Sequence, residues 1–292
     1  MINTVSKDEW VDMHVHTTES DGMLTPTQVV MKAKQAGLKA IGIVDHDTFD
    51  GLKEAYQAGK QQGVEIVPGI ELSSQWNGKD IHIIGYYCNA SHPKIVDYIE
   101  KFLRKRYNRA KKMVQILNSM DINIAMQDVV AEAKGTCIGR PHIAAALLEK
   151  GYVYSFQEAF IKFIGYHSKA YVEKYKISPK SAIALISEAG GLSFIAHPSK
   201  NLNIDSLFDL VKCGLDGIEI IHPRLDDRDT RRLQEFANNY NLLISGGSDC
   251  HGRYEDNVSI GKFRIPYSVL EKIKKYHRVK HKNHMIDINK DK

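Results

Sequence analysis

The stretch Asp12–Gly22, DMHVHTTESDG, decides the fold of this 292-residue chain. His14 and His16 stand two residues apart at the end of an apolar run, and Asp21 follows five residues after the second histidine. Alternate residues of a β-strand point to the same face, so the two imidazoles can bind one metal ion together. The pattern predicts a first strand that ends in metal ligands.

The bulk composition is that of an ordinary folded protein. Hydrophobic residues make up 43% and charged residues 26% of the sequence, which argues against a disordered or fibrous chain. The chain begins with a short polar segment and has no run of about 18 apolar residues, so we expect a cytoplasmic protein without a membrane span or a secretory signal. The net charge of +5 favours anionic partners, and no obligate protein partner is implied.

Apolar strands alternate with capped helices along much of the chain. The first helix has Thr25 as its N-cap and Pro26 as its first residue, and Gln28 completes a capping box with Thr25. Gly37 ends this helix. Such alternation predicts parallel strands that are buried on both faces, and six or seven of them indicate an α/β barrel of the (β/α) type. The predicted strands are WVDMHVHT (10–17), AIGIVDHD (40–47), VEIVPGIELSS (64–74), IHIIGYY (81–87), GLSFIAHP (191–198), GIEIIHP (217–223) and LLISGGSDCH (242–251), with an Asn-Gly hairpin turn before the fourth.

Residues 91–176 interrupt this alternation. Helical periodicity with many basic and aromatic side chains predicts a helical subdomain, inserted into a barrel domain of residues 1–90 and 177–292. Within Lys101–Lys112, seven of the twelve residues are basic. We expect Tyr107 to face inward and Arg109 to face water. The outward cations form either a solvated helix face or a contact with a polynucleotide backbone.

Side chains that can bind metal recur where the predicted strands end, or begin in the case of the fourth. The carboxyl ends of barrel strands meet at one face, so these residues should converge in one cleft. Their number exceeds the roughly three to five ligands of a single catalytic ion, which indicates two or three divalent ions with Glu71 as a bridging carboxylate. The nine predicted ligands are His14, His16, Asp21, His46, Glu71, His82, His197, Asp249 and His251.

Other polar residues close to these ligands in the sequence are candidates for supporting roles. Asp12 and Asp45 precede His14 and His46 and are predicted to orient histidine rings, unless they are simple strand-end carboxylates. His222 ends a strand without belonging to the ligand set. It is predicted to donate a proton to the leaving oxygen or to bind a phosphate, with a buried structural histidine as the alternative.

Two arginines and a further histidine are predicted to bind the substrate. Arg140 and His142 lie in the segment GRPHIA, and a planar guanidinium matches the oxygens of a phosphate. Arg140 could instead cap a helix end or pair with a carboxylate. Arg224 is the third candidate. The residues predicted to be catalytic are Glu71, His222 and Asp249.

Taken together, the motifs resemble those of a known superfamily. DMHVHTTESDG, VDHD, PGIELS, AHP and GGSDCHG are similar in order and spacing to the motif set of the PHP (polymerase and histidinol phosphatase) metal-dependent phosphoesterases. GRPHIA, and GGL before AHP, are most similar to the branch of nucleoside 3',5'-bisphosphate phosphatases and the 5'-end-trimming exoribonuclease RNase AM. The resemblance implies a distorted seven-stranded (β/α) barrel that binds manganese, iron or zinc, and histidine with carboxylate suits all three metals.

The resemblance also implies how the ligands divide among the ions, and it places GRPHIA facing the metal cleft. The first ion would take His14, His16, Glu71 and Asp249. A second would share Glu71 with His82 and His197. A third would use Asp21, His46 and His251.

The expected activity is phosphoester hydrolysis. Divalent ions lower the pKa of bound water, so that hydroxide can attack, and they neutralise charge on the phosphoryl group. The expected substrate is the terminal phosphate of a nucleoside 3',5'-bisphosphate or of a short 5'-phosphorylated RNA. Three alternatives remain open. The first is a histidinol-phosphate-type phosphatase, which should lack the long basic insertion. The second is an amidohydrolase, which would need a bridging lysine, and the third is a metal-stabilised nucleic-acid-binding module without catalysis.

Overall fold

The structure, a computed structural model, describes residues 9–133, 137–198, 202–252 and 259–288, without the side chains of 282–288. The polar N-terminal segment 1–8, on which the expectation of no secretory signal rests, lies outside these ranges. Eight strands form one sheet in the order β7-β6-β5-β4-β3-β2-β1-β8. The strands are β1 (Trp10–Val15), β2 (Ala40–Ile43), β3 (Glu65–Trp76), β4 (Lys79–Tyr86), β5 (Leu192–Ile195), β6 (Gly217–Ile221), β7 (Leu243–Gly246) and β8 (Ile265–Pro266).

The described helices connect the strands and build the insertion. They are α1 (Pro26–Gln35), α2 (Gly51–Gln62), α3 (Pro93–Asn118), α4 (Met126–Glu132), α5 (Arg140–Glu149), α6 (Phe156–Ala159), α7 (Pro179–Glu188), α8 (Ile204–Lys212), α9 (Asp227–Asn239) and α10 (Tyr267–Ile288), with a π-helical turn, Phe160–Ile164, after α6. The predicted capping box of α1 is confirmed, since Thr25 and Gln28 exchange side-chain to backbone hydrogen bonds. None of the described helices is long and apolar enough to cross a membrane.

One strand runs against the others in the body of the sheet. β1, β2 and β3 are mutually parallel, as are β5, β6 and β7, whereas β4 is antiparallel to both β3 and β5. The predicted hairpin turn at Asn77–Gly78 is confirmed. Because β4 starts where β3 ends, His82 lies near the carboxyl ends of the neighbouring strands.

The two ends of the sheet approach each other, which makes a nearly closed barrel. Asp249 donates its N–H to the carbonyl of His14 (2.8 Å), and His16 donates its N–H to the carbonyl of Cys250 (3.1 Å). The loop after β7 is therefore bonded to the end of β1. The (β/α) barrel is confirmed, with a two-residue strand, β8, added beside the start of β1.

The helices α3–α6 lie between β4 and α7, where the insertion is predicted. They share a separate apolar core that includes Met113, Leu117 and Leu147, while the first turns of α3 pack against the barrel through Tyr98 and Phe102. The domain boundaries at residues 91 and 176 stay a prediction.

The expected orientation of two α3 side chains is wrong. Tyr107 is 43% exposed, whereas Arg109 is buried. The Nε of Arg109 donates to the carbonyl of Val172 (2.6 Å). The long alkyl stem of arginine lets the side chain pack inside while its polar end satisfies a backbone oxygen.

Candidate metal centre

Glu71 occupies the middle of the barrel mouth. It lies on β3, is fully buried, and is surrounded by histidines from β1, β4 and the loops after β2 and β5. The ring nitrogens nearest its carboxylate oxygens belong to His82 (2.9 Å), His46 (2.9 Å), His16 (3.2 Å), His197 (3.3 Å) and His14 (3.6 Å). Residues far apart in the sequence therefore meet at one carboxylate.

Two aspartates complete the cluster on the loops after β1 and β7. Asp249 Oδ1 lies 3.2 Å from His16 Nε2 and 3.6 Å from His251 Nδ1. Asp21 Oδ1 lies 3.1 Å from His251 Nε2 and 3.9 Å from His46 Nε2. The structure thus brings all nine predicted ligands together, and their coordination of metal stays a prediction.

The chemistry of this cluster fits divalent cations. The Nε2 atoms of His14 and His16 face each other at 3.1 Å, and both rings are buried. Glu71 Oε2 and His46 Nδ1 are buried without a hydrogen-bond partner among the described residues, although they lie 2.9 Å apart. Buried lone pairs that face each other are stabilised by a cation between them, and nitrogen with carboxylate oxygen suits manganese, iron and zinc.

Burial and neighbouring charges shift the pKa values of the cluster in opposite directions. Burial would raise the pKa of Glu71, but His46, His82 and His14 outweigh it and hold that pKa well below its usual range. Burial would lower the pKa of His16, yet its contacts with Asp249 and Glu71 raise it to about 10. Burial lowers the pKa of His46 to about 4. In the metal-free chain His46 is therefore neutral at pH 7, whereas His16 carries a proton that an ion must displace.

Glu219 is a supporting carboxylate that the sequence analysis missed. It is fully buried on β6, its Oε1 lies 3.1 Å from His14 Nδ1, and its Oε2 accepts the backbone N–H of His197 (2.7 Å). The contact fixes the proton of His14 on Nδ1 and leaves Nε2 facing Glu71. His197 has φ +29°, a strained conformation that this hydrogen bond helps to hold. The available signal was a carboxylate inside an apolar strand, GIEII.

The prediction that Asp12 and Asp45 orient histidine rings is wrong. Asp12 accepts the backbone N–H groups of Ser248 and Gly261, both at 2.9 Å. Asp45 accepts the N–H and the hydroxyl of Thr17, both at 2.7 Å. Glu219 already occupies His14 Nδ1, so these two aspartates instead stabilise the loops that carry Asp21 and Asp249.

A cleft of about 510 Å³ opens beside the cluster, and His222 and Arg224 line it. His222 Nδ1 accepts the N–H of Arg224 (3.0 Å), which leaves the ring proton on Nε2, 3.3 Å from Asp249 Oδ2. Burial lowers the pKa of His222, so its ring is neutral at pH 7. The Arg224 side chain is 64% exposed at the rim, with Nη2 3.5 Å from Asp249 Oδ2. Both residues lie where a substrate would approach.

Arg140 and His142 are held by the insertion itself. The Arg140 guanidinium lies over the rings of Phe160, Tyr166 and Tyr171, 5.3 to 5.6 Å from their centres. His142 Nδ1 accepts the N–H of Gly139 (3.0 Å) at the start of α5. Neither side chain lines the cleft beside the ligand cluster. Two other cations of the insertion, Arg106 and Lys174, each lie 3.8 Å from Oδ2 of Asp47, the residue that follows His46.

Comparison with known proteins agrees with this geometry. The PHP domain family model matches residues 12–291. The chain belongs to the PHP domain family. A proposed metal-dependent phosphoesterase from Bifidobacterium adolescentis matches 90% of this PHP chain and 94% of its own, with a TM-score of 0.83 and 32% identity. The resemblance expected from the motifs is thereby confirmed.

Three relatives with named activities match most of the chain. The 5'-3' exoribonuclease of Haemophilus influenzae is 32% identical over 82% of this chain and 89% of its own length. The phosphoribosyl 1,2-cyclic phosphate 1,2-diphosphodiesterase of Eggerthella lenta is 31% identical over 87% and 98%. The 3',5'-nucleoside bisphosphate phosphatase of Chromobacterium violaceum is 28% identical over 86% and 90%. All three names describe hydrolysis of phosphoester bonds.

Proposed function

We propose that this PHP protein is a metal-dependent hydrolase that removes terminal phosphates from nucleotides, as nucleoside 3',5'-bisphosphates or as the ends of 5'-phosphorylated oligoribonucleotides. The observation that carries the proposal is the convergence of nine nitrogen and oxygen donors in one cluster, where five histidines lie within 3.6 Å of the buried carboxylate of Glu71. The names of the relatives support the class of substrate.

The ligand cluster would hold two or three ions of manganese, iron or zinc. When bound, such ions supply positive charge for phosphoryl oxygens and water of lowered pKa. Four sets of donors among the described residues lie within 4.8 Å of one another and support more than one ion. They are His14, His16 and Glu71; His46, Glu71 and His82; His16, Asp21, His46 and His251; and His14, His222 and Asp249. The last set makes His222 a further candidate ligand.

The neighbouring side chains have separate tasks in this proposal. His222 is neutral, carries its proton on Nε2 and faces the cleft, so it donates a hydrogen bond to a phosphate oxygen of the substrate. Arg224 binds a phosphate oxygen at the rim. Glu219 keeps His14 Nε2 directed at the cluster, and Asp249 Oδ1 lies 3.5 Å from His14 Nε2 and 3.2 Å from His16 Nε2.

The test is phosphate release by Mn²⁺-loaded protein from three compounds: a nucleoside 3',5'-bisphosphate, a 5'-phosphorylated oligoribonucleotide and histidinol phosphate. Turnover of either of the first two is expected. Glu71→Gln should reduce it beyond the roughly 10- to 100-fold that is typical for losing a residue that only orients a ligand. Glu100→Gln, an exposed carboxylate on α3, is the matched control and should leave activity unchanged.

The other outcomes are equally informative. Preference for histidinol phosphate would support the alternative phosphatase, and salt-sensitive RNA binding without turnover would support a binding module. No release from any of the three compounds with Mn²⁺, Fe²⁺ or Zn²⁺ would overturn the proposal.

A further inference from the structure

The outward face of α3 carries positive charge without matching acids. Residues 101–120 contain no aspartate or glutamate. Exposed cations follow one another along this part of the helix and are called the α3 stripe below; they are Lys101, Arg104, Lys105, Lys111 and Lys112. None of them forms a salt bridge within the described ranges of the chain, whereas Lys162 of the same insertion pairs with Glu158 one turn away. Like charges at helical spacing repel each other, so an anionic partner would stabilise this face.

An exposed aromatic ring lies in the middle of the α3 stripe. Arg104 precedes Tyr107 by three residues and Lys111 follows it by four, so the three side chains share one face of the helix. The ring borders a depression of about 350 Å³, whose other lining residues all belong to α4 and its C-cap side; they are Met126, Gln127, Val130 and Ala131. Sites of roughly 300 Å³ and more hold small organic molecules, so one nucleobase has room there.

The same helix connects the stripe to the barrel mouth. Tyr98 donates its hydroxyl to Asp47 Oδ1, and Arg106 lies 3.8 Å from Oδ2 of the same carboxylate. Asp47 follows the predicted ligand His46. The stripe rises about 17 Å at 1.5 Å per residue, which is the length of about five stacked nucleotides at roughly 3.4 Å each. A nucleic-acid strand that leaves the mouth can therefore follow α3.

We propose that the outward face of α3 binds single-stranded RNA, with Tyr107 stacking on a base and the cations of the α3 stripe contacting the backbone. Aromatic side chains among lysines and arginines bind single strands in this way without regard to sequence. The surface shares no residue with the cleft beside the ligand cluster. The inference deepens the proposed function, on which it rests for the role of this RNA as substrate. Contacts remote from the reacting phosphate would favour an oligoribonucleotide over a mononucleotide.

A binding test does not depend on catalysis. The probe is a fluorescently labelled, single-stranded RNA of about ten nucleotides with a 5'-hydroxyl, which lacks the terminal phosphate of the expected substrate. It is titrated with Mn²⁺-loaded protein, and fluorescence anisotropy gives the affinity. Tyr107→Ala should bind at least about fivefold more weakly, as expected for the loss of one stacked base. Tyr107→Phe keeps the ring and should bind like wild type.

Salt dependence tests the cations separately. Arg104→Gln combined with Lys111→Gln should make the slope of log affinity against log salt concentration shallower by about 1.4, or about 0.7 for each lost contact. Lys272→Gln combined with Lys275→Gln is the matched control, because it removes the same charge from exposed positions on α10. The control should keep the slope of wild type.

A kinetic test relates the surface to turnover. In Tyr107→Ala, the kcat/KM for the 5'-phosphorylated form of this RNA, divided by that for a nucleoside 3',5'-bisphosphate, should fall at least about fivefold. If wild type binds the RNA through α3 but hydrolyses no phosphoester, the proposed function fails and the binding surface stands. Unchanged affinity in Tyr107→Ala, an unchanged slope in the α3 pair, or an equal change in the α10 pair would overturn the inference. Every substituted side chain is exposed, and thermal unfolding checks that each variant folds.

Discussion

The barrel mouth and the helical insertion carry opposite excesses of charge. At the mouth, Glu71 and Asp249 stay ionised because histidines surround them, and their pKa values lie well below the usual range. The insertion instead brings two cations to the edge of the mouth, since Arg106 and Lys174 each lie 3.8 Å from Asp47 Oδ2 on the barrel side. The mouth is therefore suited to cations, whereas the insertion contributes positive charge beside it.

The largest effect is expected when Glu219, the carboxylate that supports the predicted ligand His14, is replaced. Glu219→Gln keeps the shape of the side chain but has one acceptor oxygen, so it cannot accept from both His14 Nδ1 and the N–H of His197. Mn²⁺ affinity of the protein should fall by about 10- to 100-fold. Calorimetry and bound-metal analysis measure this directly. Glu235→Gln, exposed on α9, is the control, and unchanged affinity in Glu219→Gln would show that the mouth does not depend on this carboxylate.

The same contrast explains which parts of the molecule the sequence predicts. His14 and His16 share a face because strand side chains alternate, and strand ends in a barrel meet at one side. Their convergence with Glu71 therefore needs no knowledge of the tertiary structure. The hairpin before His82 is equally local, since Asn77 and Gly78 both have positive φ.

Long-range contacts account for what the sequence does not predict. Glu219 acts on His14 from 205 residues away, and its position inside a strand gives no sign of which ring it reaches. Arg109 was expected in water because helical periodicity identifies a face but not what covers it. The same limit hides Arg106, whose significance depends on Asp47 from another element.

Proton competition should distinguish the two halves by the sign of their pH dependence. The pKa of His16 is raised to about 10 in the metal-free chain, so an ion displaces its proton, and Mn²⁺ affinity should fall about tenfold per pH unit between about pH 9 and pH 7. Burial, with repulsion from Arg106, lowers the pKa of Lys174 to about 8, so the positive charge beside Asp47 should instead be lost as the pH rises through that value. Calorimetry in buffers of different ionisation enthalpy counts the protons that Mn²⁺ displaces, and an NMR titration of Lys174 follows its charge. Mn²⁺ affinity that does not fall on acidification, or a Lys174 that keeps its proton above about pH 10, would contradict the assignment of opposite charge.

The smallest effect concerns the attachment of the insertion to the mouth. Tyr98 on α3 is buried and donates its hydroxyl to Asp47 Oδ1 at 2.9 Å, so Tyr98→Phe removes a hydrogen bond to a buried carboxylate. The free energy of unfolding should fall by about 1 to 3 kcal/mol, the range for hydrogen bonds to charged groups. Tyr107→Phe, on the exposed side of the same helix, should change it by less than about 0.5 kcal/mol. Denaturant unfolding of both variants measures the difference. If the two were equal, the Tyr98 hydroxyl would not help to hold Asp47, and Ser73 alone would fix that carboxylate from the barrel side.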